Sequence, residues 1–250
     1  MKVSVSVITI EGTSCKLGLL GEIASKTGGL VNVVNPINLK EQFSNILEDR
    51  IIATNVIAEL ILPKELYIKD HENFDNRQST VKKQIGNVTK ETELTFEFSV
   101  RDVVDIKSQQ LPFQLKISYN SLNGATLLRV LTKIKQLTDN QDLAEESCNR
   151  AILATNAIQI QGRLLQKNPN KANLGHYSEY VTKVRTKKND FFSADAYSMY
   201  QTDLSQTINS AQTMVKENAK QAYQRLNDKD ASKLYNLQRI NAKDLLNKKK

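Results

Sequence analysis

The first 49 residues constrain this chain more than any other stretch. They read MKVSVSVITIEGTSCKLGLLGEIASKTGGLVNVVNPINLKEQFSNILED. Val3 to Ile10 is dominated by β-branched residues, which predicts a strand buried on both faces of a parallel sheet. Leu17, Leu20, Ile23 and Ala24 then recur at helical spacing, and Thr27-Gly28-Gly29 stops that helix with residues that tolerate positive φ. Leu30 to Val34 reads as a second short buried strand. Asn38 is placed to cap a second helix, with Glu41 three residues on as a capping box. Leu39, Phe43, Ile46 and Leu47 form its apolar stripe. The order is strand, helix, strand, helix. Two strands cannot make a doubly wound sheet, because the apolar face of each βα unit needs neighbours to cover it.

From Arg50 the pattern changes. Val56, Ala58, Leu60 and Leu62 alternate with more mixed residues, so one face of a strand is apolar, and Pro63 ends it. His71 to Thr80 is polar and predicts an exposed loop. Val81 to Val88 is a weak strand, broken at Gly86-Asn87. In Thr92 to Arg101, Leu94, Phe96, Phe98 and Val100 are expected to face inward. In Leu111 to Tyr119, Phe113, Leu115, Ile117 and Tyr119 do the same. Asn123-Gly124 is a strong turn dipeptide, since both residues accept positive φ. Thr126 to Gln136 returns with Leu128, Val130 and Ile134 on one face. The expectation is an antiparallel β-sandwich half, which strands from another part of a longer chain would complete.

Asp139 opens a helical third. Ala144, Ala151, Ile152, Thr155, Ile158 and Leu165 keep helical spacing up to Pro169, which lacks a backbone donor and restricts its predecessor. A shorter helix is expected over Leu174 to Val184, and a basic linker after it. Phe191-Phe192 is placed to staple the next helix and Ser193 to cap it. From Tyr197 to Leu226 apolar residues step by threes and fours, predicting a long amphipathic helix. Its packing stripe includes Leu204, Ile208, Val215 and Leu226. After Asn227-Asp228, Ala231, Leu234, Leu237 and Leu245 predict a last helix. There is no internal repeat and no low-complexity tract.

The strand VSVITIEG, the phrase LGLLGEIASKTGG, the strand LVNVV and the helix NLKEQFSNIL resemble the last third of a von Willebrand factor type A domain. The stretch after them, including IIATNVIAELILPKELYI and LPFQLKISYNSLNGATLLRV, resembles the β-sandwich and helical regions that come after the A-type trunk in COPII inner-coat subunits. It is also similar to a group of protist proteins in which such a block accompanies a circularly permuted Ras-like GTPase. The resemblance covers roughly residues 1 to 165. It implies an α+β chain: a truncated doubly wound α/β (A-type) segment over 1–50, an antiparallel β-sandwich over 51–138, and a C-terminal helical region over 139–247.

The family's A-type domains bind a divalent ion through a DxSxS motif, whose oxygen ligands suit magnesium. No DxSxS occurs here, so no metal residue is carried over. Asp49, Asp70 and Asp75 read as solvated surface acids. The coat family's zinc finger needs clustered cysteines, whereas this chain has two, Cys15 and Cys148. Gly12-Thr13-Ser14 and Gly18-Leu19-Leu20-Gly21 place glycine near a helix start, where phosphate can be cradled. Without a GxxxxGK[ST] pattern, the preferred reading is a turn after a strand and a small residue at a tight helix–sheet contact. His71 and His176 lie in polar contexts. Glu145-Glu146 and Asp228 with Asp230 look like helix-start charges that favour the dipole. No catalytic residue and no cofactor is expected.

The formal net charge of +8 is uneven. Residues 1–140 hold 17 Lys and Arg against 16 Asp and Glu, while residues 141–250 hold 18 against 11. Any acidic partner that this charge selects meets the C-terminal part. Lys183, Arg185, Lys187 and Lys188 lie near Tyr177, Tyr180, Phe191 and Phe192, a basic docking surface in candidate form. The first reading is a solvated or partner-facing helix, the second an anionic membrane surface, and nucleic acid comes last. No run approaches the ~20 apolar residues of a membrane span, Met1 leads straight into a strand without signal-peptide anatomy, and the separated thiols fit a cytoplasmic home. The expected function is a non-enzymatic protein-interaction module, a fragment or truncated form of a larger A-type-domain protein. Its alternatives are a COPII-like vesicle-coat subunit that binds cargo or acidic membrane, and the tail of a Ras-like GTPase-bearing signalling protein. Self-association stays open, because a long apolar stripe also suits a second copy.

Overall fold

The computed structural model describes residues 3–69, 77–102, 110–167, 192–214 and 226–246. Strands β1 (Val7–Ile10) and β2 (Val31–Val34) pair in parallel, with Val7 opposite Val31 and Ile10 opposite Val34. Helix α1 (Leu17–Thr27) connects them, and Gly28 ends it at φ 76°. Gly29 comes next, where any Cβ would run into the Val5 carbonyl. Helix α2 (Leu39–Glu48) is entered through a 3-10 turn at Pro36–Asn38. Asn35 caps that turn, accepting the Ile37 N–H at 3.1 Å. Asn38 makes no cap bond, so the expected Asn38–Glu41 box does not form. Pro36, pre-set for the first helical position, starts the helical path earlier.

The expected burial of the first strand is also corrected. Thr9 is its buried residue, whereas Val3, Val5 and Ile10 are exposed. On α1 Leu17 and Ala24 are fully buried but Leu20 and Ile23 are not, and α2 buries none of its residues. Two strands offer too little sheet to cover both faces of two helices.

Residues 51–90 and 96–144, with the chain up to Val3, form one compact unit. Its main sheet has the order β5-β3-β7-β8, all antiparallel, built from β3 (Ile51–Ile61), β5 (Thr80–Thr89), β7 (Gln110–Asn120) and β8 (Thr126–Gln136). A second sheet pairs β4 (Leu66–Ile68) with β6 (Phe98–Val100). Val56, Ala58, Leu60 and Leu62 are buried at the alternation their spacing predicts. Asn55, left-handed at φ 51°, resets the phase where Ala53 and Thr54 are both buried. Leu60, Leu62, Leu66, Ile68 and Leu111 make the core, with Val81, Phe96, Phe113 and Leu115 against it.

Three expectations for this unit change. The weak strand over Val81 to Val88 is a continuous ten-residue strand, and Gly86 at φ 83° absorbs a bulge opposite Val56 instead of breaking it. The stretch Thr92 to Arg101 is in strand only at Phe98–Val100, with Phe98 and Val100 exposed. Residues 91–95 belong to the other unit, where the Thr95 hydroxyl donates to Gln159 Oε1 at 3.0 Å, and Thr95 rather than Leu94 is buried. In the β7–β8 turn Gly124 takes φ 93° and Asn123 does not join it; the Asn123 side chain instead accepts the Ala125 N–H at 3.2 Å.

The second unit comprises residues 4–50, 91–95 and 145–250. The helical run expected from Asp139 is two helices, α3 (Gln141–Glu146) and α4 (Arg150–Lys167). Asn140 and Asn149 accept N–H groups of Leu143 and Ile152, each at 3.2 Å, and so start each helix separately. Helix α5 (Ala194–Met214) is capped by Ser193, which accepts the Ala196 N–H at 3.2 Å. The Phe192 and Tyr197 rings, 5.7 Å apart, form the staple across that cap. Helix α6 (Asp228–Leu237) and a 3-10 turn at Ala242–Leu245 finish the described chain. The helix expected over Leu174–Val184 and most of the loop over His71–Thr80 lie outside the described residues.

Helix α6 carries the largest difference in domain organisation. Its Leu234, Tyr235 and Leu237 share one core with Leu17, Ala24 and Val31 of the α/β segment and with Ile158, Leu165 and Leu204 of the helical region. Ser232 donates to the Val31 carbonyl at 3.0 Å. Residues 1–50 and 139–247 were expected as separate domains, but residues 4–50 pack into the helical region as a single body. A two-stranded sheet has too little apolar area to stand alone, and α6 supplies what it lacks.

Candidate functional site

Open α/β sheets bind ligands beyond the carboxyl ends of their strands. The loop after β1 occupies that place. Buried Thr9 donates its hydroxyl to Cys15 Sγ at 3.0 Å and lies 2.8 Å from the Thr13 hydroxyl. Lys16, left-handed at φ 55°, turns the chain into α1. The start of α1 is already filled. Asp228 accepts the Cys15 N–H at 2.5 Å and the Leu17 N–H at 2.8 Å. A carboxylate is the natural complement of a helix N-terminus, and here the Cys15 and Leu17 amides are taken by Asp228. The glycines have another reason to be small: a Cβ on Gly21 would run into the Tyr235 ring, whose hydroxyl donates to the Gly18 carbonyl at 3.0 Å. The preferred reading of Gly18 and Gly21 as a tight packing contact therefore has its geometry, though the partner is a helix from the far end of the chain.

Asp228 and Asp230 both stand in the first turn of α6, as their helix-start reading predicts. The cap itself is Asn227, which accepts the Asp230 N–H at 2.9 Å. This leaves the Asp228 carboxylate for α1. The only signal in the sequence was redundancy, a cap already present one residue earlier. Arg239 was also missed. It donates to the Gly29 carbonyl, and burial pulls its guanidinium below the ordinary arginine range while the nearby Asp49 charge opposes that shift. Asp49 is thus half-buried beside a cation instead of being a freely solvated acid.

Of the predicted packing stripe, Leu204 and Ile208 are 0% and 7% exposed, and Leu226 is 3% exposed. All three belong to the core that α4, α5 and α6 share. They face neighbours in their own chain. Val215 and the basic residues Lys183, Arg185, Lys187 and Lys188 lie outside the described residues.

The open apolar surface lies elsewhere. In the second unit, Leu19, Leu20 and Ile23 on α1 and Phe43 and Leu47 on α2 are exposed, Leu47 by 73%. In the first unit, every residue of β8 is exposed. Leu128, Val130 and Ile134 share one face, as their spacing predicts, and that face is the one turned away from the core. The register explains this. Leu131 pairs with Leu115, which pairs with Leu60, so the odd-numbered row of β8 lies on the core face. Val130 pairs with Lys116 and thence Glu59, on the opposite face.

No protein-family model matches the chain. Over 168 residues it is 30% identical to circularly permutated Ras protein 1 of Dictyostelium discoideum. It is homologous to a part of that protein. The match covers 66% of this chain and 20% of that one. The fold is similar to that of the human COPII-coat protein Sec24c, with a TM-score of 0.52 across 83% of this chain and 25% of that chain, at 14% identity. The chain thus spans a quarter or less of either protein. Among the described residues no helix is long and apolar enough to cross a membrane.

Proposed function

We propose that this chain is a non-enzymatic protein-interaction module, the end of an A-type domain followed by a β-sandwich and a helical region, within a longer protein of the kind that carries a Ras-like GTPase. The supporting observation is the contrast at α1. Its N-terminus, where an α/β sheet would take an anionic ligand, is closed by Asp228, while its side, with α2, presents uncovered leucine, isoleucine and phenylalanine. An anion at that helix end would compete with Asp228, and apolar area is offered for contact. The homology to part of a circularly permutated Ras protein supports the setting. On this reading the module relays or anchors what the rest of the protein does. Titration of the 250-residue chain with GTP and magnesium is expected to give no binding heat; one-to-one binding would overturn the proposal.

The basic C-terminal third favours a second reading, contact with an anionic membrane as in a coat-like subunit. It predicts salt-sensitive sedimentation with phosphatidylserine vesicles that disappears when Lys183, Arg185, Lys187 and Lys188 are all changed to Glu. Sedimentation that survives those changes, or none at the outset, rejects it.

A further inference from the structure

The main sheet of the first unit has two unlike edges. At one edge, β5 meets β3 through three register shifts, and Gly86 sits in a bulge. Bulges and twist are how sheets keep an edge from recruiting another strand. At the other edge, β8 pairs with β7 without a break, from Gln110 opposite Gln136 to Asn120 opposite Thr126. It has neither bulge nor proline, and its eleven residues are all exposed. A long, regular, uncovered edge is a template for one more strand.

The side chains of β8 say which strand. Alternation divides them into two rows. Leu128, Val130 and Ile134 stand in one. Arg129, Lys133 and Lys135 stand in the other, with Leu127 and Leu131. The strand has no carboxylate, and among the described residues none of its three cations makes an ion pair. A second copy of the chain fits badly. Antiparallel self-pairing about Leu131 sets Arg129 opposite Lys133, and directly opposed like charges destabilise a strand pair.

We propose that β8 is the docking edge for an extended segment of another polypeptide in which acidic and apolar residues alternate. Such a segment bonds its backbone to the open side of β8. Its carboxylates fall in the row of Arg129, Lys133 and Lys135, and its apolar side chains in the row of Leu128, Val130 and Ile134. Cross-strand neighbours are about 5 Å apart, within reach of ion pairs and apolar contact. Main-chain bonds supply attachment and the two rows supply register and selectivity.

The test uses the full 250-residue chain and a fluorescent eleven-residue peptide of alternating glutamate and valine, read by anisotropy. Saturable binding that weakens with added salt is expected. The same peptide with lysine for glutamate should bind at least tenfold more weakly, and so should the glutamate peptide methylated on alternate backbone nitrogens. The triple variant R129Q/K133Q/K135Q, checked for an unchanged circular dichroism spectrum, should lose at least tenfold in affinity. L128S should lose a smaller factor. No binding, equal binding of the lysine peptide, or indifference to backbone methylation would overturn the proposal; the last would mean charge attraction without strand addition. A concentration-dependent dimer in sedimentation, abolished by the L128S change, would assign the edge to a second copy and also overturn it.

Discussion

Helix α5 and strand β8 each carry a row of apolar residues at the period of their own secondary structure, and the two rows have opposite fates. Leu204 and Ile208 on α5 are buried among α4 and α6. Leu128 and Ile134 on β8 are 64% and 60% exposed. Periodicity marks a face that benefits from burial. Whether the face is buried depends on another element arriving with matching shape, and that is set far away in sequence. For α5 the partners lie within the described chain. For β8 the strand β7 pairs one side of its backbone, and its side chains stay exposed.

This contrast can be broken by mutation, and the largest effect is expected on the buried side. Leu204→Ala should cost about 2–5 kcal/mol, the range for truncating a buried leucine and leaving a cavity, read as a lower denaturant midpoint by far-ultraviolet circular dichroism. Gly21→Ala should cost about 1–3 kcal/mol through overpacking against Tyr235, and a stabilised protein would show that the ring moves aside freely. Asp228→Ala should cost about 1 kcal/mol, as for a lost helix cap, with faster amide exchange at Cys15 and Leu17. Leu128→Ala should change stability by less than about 0.5 kcal/mol, and a larger loss would mean that β8 is covered in solution.

The smallest effect is kinetic and concerns the thiols. Cys15 is exposed, whereas Cys148 is half-buried. Burial pushes the Cys148 thiol above its ordinary range, and the Glu145 carboxylate adds to the shift. A raised pKa leaves less thiolate at pH 8, and thiolate is the reacting form. Cys148 should therefore label more slowly with a disulfide reagent than an unperturbed thiol, and Glu145→Gln should speed it. A rate indifferent to Glu145 would remove the charge from the account.

Local chemistry was legible in the sequence wherever the decisive partner was local. Ser193 with Phe192 and Tyr197 declares a capped and stapled helix, because cap and staple lie within five residues. Val56, Ala58, Leu60 and Leu62 declare one face of a strand. The illegible parts depended on distant partners. The phase of Thr92 to Arg101 is set by Thr95 reaching Gln159. The capping side chain is Asn35, on the turn that leads into the second helix, and not Asn38, because Pro36 begins a turn that apolar spacing does not report. The open flank of α1 and α2 carries the same leucine and phenylalanine pattern that a buried helix would. As for the sites, small residues near Gly18 and Gly21 pointed to a tight contact, but nothing in that stretch named Tyr235 or Asp228.

The reach of Asp228 has a consequence for the timing of synthesis. The carboxylate and the Cys15 amide that it binds are 213 residues apart. At about 5–20 residues per second, a ribosome needs roughly 10–40 seconds to travel from one to the other. During that interval the first two strands and their helix have left the tunnel without the helix that covers them, and Leu17, Ala24 and Val31 wait uncovered. The first unit, encoded between segments of the second, has all its described strands by Gln136 and is free to fold first. A helix made 213 residues later thus closes the α/β segment, and a translation pause just before Asp228 would lengthen the time in which a chaperone is needed.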